Sequence, residues 1–420
     1  MMRVCVSGAR VGLDDAIHGR RSGMNELQRI IQAFARLRAR GESAALATVV
    51  AVGGSTYRRP GARMLVSGDG EAVGSISGGC LERDVFRQAA RVLHSGEPVV
   101  AVYDSTDDDI AEGYSLGCKG IVVVLVEPLS PEAAGPIDFL ADCLNRRRTG
   151  VLATVFAVSG DPGARVGARL MLTEGQPIDS NGIGATSLCA QLVDEARRVL
   201  SAGRPLQSVI DTPGGRVEVF FELVKPSLSL AVFGAGHDAV PLVQFAKALG
   251  WHVGVVSRNA GHAMHRRFAA ADQVLMSDAG PALDSLPDEG GIIAVTMSHN
   301  YFEDLRALRA LLPRRPRYVA ILGPKRRTAR LLDELEAEGF AVRGDAASWL
   351  YGPAGLDIGA DTPEEIALAI VAEIRAAVAG RSGGFAKHRH GPLHEPCGSA
   401  KPVIVAGLPH GEILCGLTPA

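Results

Sequence analysis

Residues 228–258 read LSLAVFGAGHDAVPLVQFAKALGWHVGVVSR. Leu230 to Phe233 is a short apolar run of the kind that forms a buried parallel strand. It stops at Gly234-Ala-Gly236-His-Asp-Ala239, the GxGxxA form of the dinucleotide fingerprint. A helical pattern follows, then a second strand at Val253 to Val256. Strand, glycine turn, helix and strand in that order predict a Rossmann-like unit. Gly234, Gly236, His237 and Arg258 are its candidate nucleotide contacts. The second strand ends in Ser257-Arg258, where an acid would hold ribose hydroxyls. Three readings stay open: a 2′-phosphorylated ligand such as NADP, another nucleotide, or no dinucleotide.

Downstream, strands are expected at Ile292 to Met297 and Tyr318 to Leu322. Each runs into a polar loop, where open α/β sheets bind ligands. The first carries His299. The second leads through Gly323-Pro324 into Lys325, Arg326 and Arg327, three cations at a helix start that suit a phosphate. Thr362, Pro363 and Glu365 form a helix-start signature. Residues 381–420, rich in Gly, His and Pro, read as a flexible tail.

Upstream, the chain repeats itself. ATVVAVGGSTYRRPGARMLV at 47–66 aligns without gaps with ATVFAVSGDPGARVGARLML at 153–172, and about half the positions are identical. RVLHSGEP at 91–98 likewise matches RVLSAGRP at 198–205. Residues 24–127 and 140–224 therefore read as two copies of one α/β unit within a domain spanning 24–224. A Rossmann-like domain follows at 228–380. Residues 1–23 show no periodicity and read as a disordered extension. The fold class is α/β: a duplicated N-terminal α/β unit, then a doubly wound parallel sheet.

What the copies share is scaffold, and what only the first copy holds is a better candidate for function. Arg63 has a counterpart in Arg169, whereas Arg58 aligns with Ala164 and Cys80 falls near Ser187, with Cys189 close by. The run VGSISGGCLERDVFRQAARVL puts Gly78, Gly79 and Cys80 at the expected start of a helix. Free amides and the positive dipole end there favour anions and a thiolate. Cys118, in a second glycine-flanked turn, is a further soft ligand. Arg58, Arg63, Gly78, Gly79, Cys80 and Cys118 are the candidate cofactor contacts of this domain.

A net charge of −2 gives no electrostatic case for nucleic acid or an anionic membrane, and 5% aromatic residues give no stacking platform. Seven scattered cysteines without a CxxC pair argue against a disulfide framework and fit a reducing, cytoplasmic setting.

Together these stretches resemble the XdhC/CoxI family of accessory proteins for molybdenum hydroxylases, in its long form with a C-terminal Rossmann domain. The resemblance spans about residues 24 to 395. It rests on RRPGARMLV, GSISGGCLE, YDSTDDD, GCKG, VFGAGHDAVPLV, SHNYFEDL, ILGPKRRTARLL, YGPAGLDIGADTPEEIALAI and GPLH. Ser257 and Ser298 depart from the family pattern. The resemblance implies a cytoplasmic, homodimeric chaperone without substrate turnover. Such a protein binds molybdenum cofactor (molybdopterin), protects it while a cysteine desulfurase sulfurates it, and delivers it to a xanthine dehydrogenase or CO dehydrogenase apo-enzyme. Cys80 is then the residue that meets molybdenum through the cofactor. An NAD(P)-dependent oxidoreductase rests on the glycine fingerprint alone and lacks a Tyr-x-x-x-Lys. A dimeric, non-catalytic interaction scaffold whose Rossmann half binds nothing is the third reading.

Overall fold

A computed structural model of the chain describes residues 24–104, 120–174, 179–258, 263–344 and 348–391. The extension 1–23, Cys118 and the tail beyond 391 lie outside them. The described residues form two compact units, one built on Glu26–Ser227 and the other on Leu228–Gly384. Among the described residues no helix is long and apolar enough to cross a membrane.

The first unit begins with α1 (Glu26–Ala39), whose apolar stripe Ile30, Ala33, Phe34 and Leu37 is buried. Strands β1 (Ala44–Gly54), β2 (Arg63–Ser67) and β3 (Ala72–Gly74) follow, then α2 (Glu82–Ser95), β4 (Val99–Asp104) and β5 (Gly120–Leu129). They form an antiparallel sheet in the order β3-β2-β1-β5-β4. After residues 130–135 the pattern recurs: α3 (Pro136–Asn145), β6 (Gly150–Gly160), β7 (Ala164–Thr173), β8 (Asp179–Ile183), α4 (Thr186–Ala202), β9 (Leu206–Thr212) and β10 (Gly215–Val224). The second sheet runs β8-β7-β6-β10-β9, the same order.

The likeness extends to single residues. Each long central strand carries one β-bulge, at Val50 in β1 and at Phe156 in β6, and these positions align in the repeat. A bulge twists a strand and turns an extra side chain out of the ladder. Both bulge residues are buried in one small core with Ala51, Val123, Leu125, Ala157 and Phe220, where the two sheets meet. Gln207 of β9 donates its amide to the Val50 carbonyl at 2.9 Å, crossing from one copy to the other.

Two ion pairs flank this core and mirror each other. Arg63 of β2 reaches Glu222 of β10, with one N–H···O bond at 2.8 Å. Arg169 of β7 reaches Glu127 of β5. All four residues are mostly buried. Burial opposes the charge on Arg63, but Glu222 and Glu127 outweigh it and hold its pKa above the usual guanidinium value.

Glu218, two residues before Phe220 on β10, is 7% exposed. Burial pushes its pKa up to about 7, with Arg216 pulling weakly the other way. A carboxyl whose folded pKa exceeds its unfolded value binds extra protons in the native state. Stability is therefore expected to fall as pH rises from about 4.5 to 7, and then to level off. Glu218→Gln is expected to flatten that slope and to add ~1–3 kcal/mol above pH 7. Urea midpoints at pH 5 and pH 8 check this, and a slope that survives the substitution refutes it.

The second unit is a six-stranded parallel sheet. Its elements are β11 (Ser229–Phe233), α5 (Ala239–Ala248), β12 (His252–Val256), α6 (Ala263–Arg267), β13 (Gln273–Leu275) and α7 (Ala279–Ser285). They continue with β14 (Ile293–Thr296), α8 (Tyr301–Leu311), β15 (Tyr318–Ile321), α9 (Lys325–Ala337), β16 (Leu350–Tyr351) and α10 (Pro363–Val378). The strand order is β13-β12-β11-β14-β15-β16, with every pair parallel. Helices α5 and α10 cover one face through Leu242, Ala246, Ile370 and Ile374. Helices α7, α8 and α9 cover the other through Leu283, Leu308 and Leu331. This is a doubly wound Rossmann-type sheet whose direction of winding reverses between β11 and β14, the place where such sheets bind ligands.

Candidate functional site

The run Ser75–Glu82 of the first copy is an open turn, not a helix. Helix α2 starts at Glu82, so Cys80 stands two residues ahead of it and not in its first turn. Both α2 and α4 stop at a left-handed glycine, Gly96 and Gly203. Measured back from those stops, the first turn of α4 corresponds to Gly79, Cys80 and Leu81. Gly79 sits at φ +113°, a conformation a helix excludes and L side chains rarely adopt. Leu81 still fills the buried place that Leu188 occupies in the second copy. The first copy has thus exchanged one helical turn for an exposed glycine-cysteine loop while keeping its apolar anchor.

Two carboxylates hold this loop. The Ser77 hydroxyl donates to Glu82 and accepts from the amides of Gly79 (3.1 Å) and Leu81 (3.2 Å). Glu82 also accepts from the Ser77 amide and the Ser75 hydroxyl, both at 2.9 Å. Burial alone would raise the Glu82 pKa, but these hydrogen bonds outweigh it and the pKa lies below the usual value. Glu26, the first residue of α1, accepts from the Ser75 amide at 2.8 Å and pairs with Arg58 at 2.7 Å. It so clamps the loop GGSTYRRPGAR beside the SGGC turn. Tyr57, 73% exposed, lies against Gly78. Cys80 is exposed and free, with Sγ 3.6 Å from the Ser77 hydroxyl.

The sequence candidates of this unit therefore divide. Gly78, Gly79 and Cys80 are brought together in the open. Arg58 is beside them, with one guanidinium nitrogen committed to Glu26. Arg63 is a correction: it is buried between the sheets and bound to Glu222, so it is framework and cannot meet a ligand. Glu26 and Glu82 are not among the sequence candidates, and Glu26 carries no local signal. Glu82 had a signal, being an acid five residues after a serine at a helix start.

In the second unit, a cleft of about 220 Å³ opens at the carboxyl ends of β11, β12, β13 and β14. Gly234 and Ala235 of the glycine loop line it, together with Ser257, Arg258, Ser277, Asp278, Ser298 and Arg306 among others. Gly234 has φ +141°, and a Cβ there would meet the Met297 carbonyl at 2.4 Å. The glycine is thus required by packing against the next strand's loop. Arg258 pairs with Asp278, Nε to Oδ1 at 3.0 Å, and Arg306 with Glu303 at 2.6 Å.

His299 has φ +58°, strained for a residue with a side chain, and its Nε2 lies 2.7 Å from Asp238 next to Gly236. His237 is exposed on the same loop. The strain at His299 is held by Asp304, which is fully buried and accepts from the Ser298 amide (3.1 Å), the Ser298 hydroxyl (2.6 Å) and Arg327 (2.6 Å). Arg327, partly buried at the start of α9, gives one guanidinium nitrogen to this buried carboxylate and is not among the cleft walls. Lys325 and Arg326 are exposed at the start of α9 and are not among the cleft walls.

Comparison with known proteins follows the same division. Residues 230–374 match the XdhC Rossmann domain, and residues 37–104 and 143–211 match the XdhC and CoxI family, one stretch in each copy. A Bacillus subtilis protein described as a probable xanthine dehydrogenase component is 31% identical over 334 residues, covering 79% of this chain and 92% of that one. The chain is 28% identical over 203 residues to the uncharacterized protein YqeB of Escherichia coli, covering 46% of this chain and 36% of that one. The crystal structure of a protein described as a xanthine dehydrogenase from Bacillus halodurans superposes with a TM-score of 0.65 at 27% identity, over 84% of this chain and 96% of that one.

Proposed function

Since the chain belongs to the XdhC and CoxI family, we propose that it is an accessory protein for maturation of a xanthine dehydrogenase-type enzyme, with molybdenum cofactor as its cargo. The names of two relatives contain xanthine dehydrogenase, which supports the class of client. Among this chain's own features, the observation that carries the reading is the exposed Cys80 on a turn that only the first copy opens. A thiolate is a soft ligand suited to molybdenum or to the sulfur chemistry of its maturation. The Ser77–Glu82 network holds the loop, and the exposed sulfur lies 3.6 Å from the Ser77 hydroxyl. The neighbouring amides and the free edge of Arg58 suit the anionic groups of a molybdopterin. Arg63 takes no part.

In this reading the protein loads the cofactor, shields it while a cysteine desulfurase supplies sulfur, and passes it to a molybdenum hydroxylase apo-enzyme of the xanthine dehydrogenase or CO dehydrogenase type. It acts in the cytoplasm as a homodimer and turns over no substrate itself.

The test is co-expression of Cys80→Ser with a molybdenum hydroxylase client. Molybdenum per client protein is expected to fall at least tenfold, with Cys189→Ser as a control that leaves it unchanged. Cys189 is a free, partly exposed thiol of the second copy. Equal loading by Cys80→Ser and the parent protein would sink the assignment.

A further inference from the structure

The Rossmann cleft lacks an acid at the end of β12, yet an acid stands in it. Asp278, from the loop after β13, lines the cleft opposite Arg258. It occupies the N-cap position of α7, but its side chain caps nothing there and turns to Arg258 instead. An aspartate that forgoes its local hydrogen bond for the wall of a cleft has a different task from capping. Its carboxylate remains 63% exposed, and so accessible to a ligand.

The balance of charge limits what that ligand is. Each of the two arginines on the walls, Arg258 and Arg306, is matched by an acid, Asp278 and Glu303. The walls are thus polar but neutral, which suits a nucleoside and not a phosphomonoester. Outside the cleft walls, the glycine loop carries Asp238, met by His299 at 2.7 Å, and has an arginine beside it. Exposed Arg267, the last residue of α6, donates to the Ala235 carbonyl at 2.8 Å.

We propose that the second unit binds a nucleoside 5′-diphosphate group whose ribose has a free 2′-hydroxyl, with Asp278 accepting from the ribose and Arg267 facing the diphosphate at the glycine loop. Arg258 is the positioning residue that holds Asp278 to the wall. A 2′-phosphate would meet the Asp278 carboxylate, so the ligand class excludes NADP. The group is shared by NAD and by free nucleoside diphosphates, and the experiment separates these sources. The proposal concerns the second unit alone and stands apart from Cys80.

Isothermal titration of the full-length protein with NAD+, NADP+, ADP, 2′-deoxy-ADP, CDP and GDP tests it. Saturable binding is expected for NAD+ or for at least one free diphosphate, and the identity of that ligand names the source. NADP+ is expected to bind at least tenfold more weakly than NAD+, and 2′-deoxy-ADP at least tenfold more weakly than ADP, wherever the parent ligand binds. Asp278→Ala should weaken binding at least tenfold and remove the bias against NADP+. Arg267→Ala should weaken binding and reduce its dependence on salt. Both sites are exposed, and melting curves confirm that the variants fold. No binding by any ligand overturns the proposal, as does preference for NADP+ or indifference to both substitutions. Cys80→Ser protein is expected to titrate like the parent, so failure here leaves the cofactor assignment untouched, and failure there leaves this one.

Discussion

Arg63→Ala is expected to destabilise the first unit by ~3–5 kcal/mol, because it strands the Glu222 carboxylate between two sheets. The loss comes less from the attraction between the two groups than from the charge left behind. Taking an ion pair out of water is itself costly, and only the partner and a good geometry offset it. The matching double replacement, Arg63→Met with Glu222→Met, removes both charges and fills the space with apolar atoms. It should recover most of the lost stability. Urea denaturation of the parent, the single and the double variants measures this. Exposed pairs elsewhere give the yardstick: Arg216 and Asp211 lie mostly in solvent, and Arg216→Ala should cost less than about 1 kcal/mol. A similar small loss for Arg63→Ala would mean that the pair is wetter than its burial indicates.

Asp304→Ala is expected to cost ~2–4 kcal/mol in the second unit and to release the loop that carries His299. Asp304 is fully buried and is the common acceptor for Ser298 and Arg327. Burial raises its pKa despite the hydrogen bonds from Ser298 and the charge of Arg327, so it sits in a dry setting where a missing partner is expensive. Without it, Arg327 loses its counter-charge, and His299 loses the support for its left-handed backbone. Asp304→Asn keeps an acceptor for Ser298 and should lose roughly half as much. Hydrogen exchange at residues 297–301 should rise in Asp304→Ala well before global unfolding. Unchanged protection there would separate the loop from the carboxylate.

These two cases also show what the sequence could and could not reveal. The strand runs near 45–52, 230–233 and 318–322 are legible because a buried strand must be continuously apolar. The short strands β13 and β16, of three and two residues, escape a reading of the sequence because they are too brief for a period to register. Arg63 looks like a ligand because an arginine in a glycine-rich loop has the same letters whether it faces solvent or a partner 159 residues away. The acid that pairs with Arg327 is hidden for the same reason, since it lies on another helix. Cys80 reads as helical because the apolar spacing from Leu81 onward is helical. The stop comes from the backbone of Gly79, which the period does not encode. Asp278 has a faint local signal, an acid at the start of a helix just past a strand. Its pairing with Arg258 becomes visible only once the strands lie side by side.

The short connection at residues 130–135 has a consequence for the paired sheets. Two domains that meet as separate chains must first overcome ~4–15 kcal/mol of lost translational and rotational freedom. A short tether makes the encounter intramolecular, with each half facing the other at an effective concentration on the order of millimolar. The interface between the copies therefore need not be strong enough to assemble them from dilution. That latitude allows it to contain four charged groups that a freely associating pair would be pressed to replace with hydrocarbon. It also leaves each copy free to change its outer turn, as the first has done around Cys80, without putting the partnership at risk.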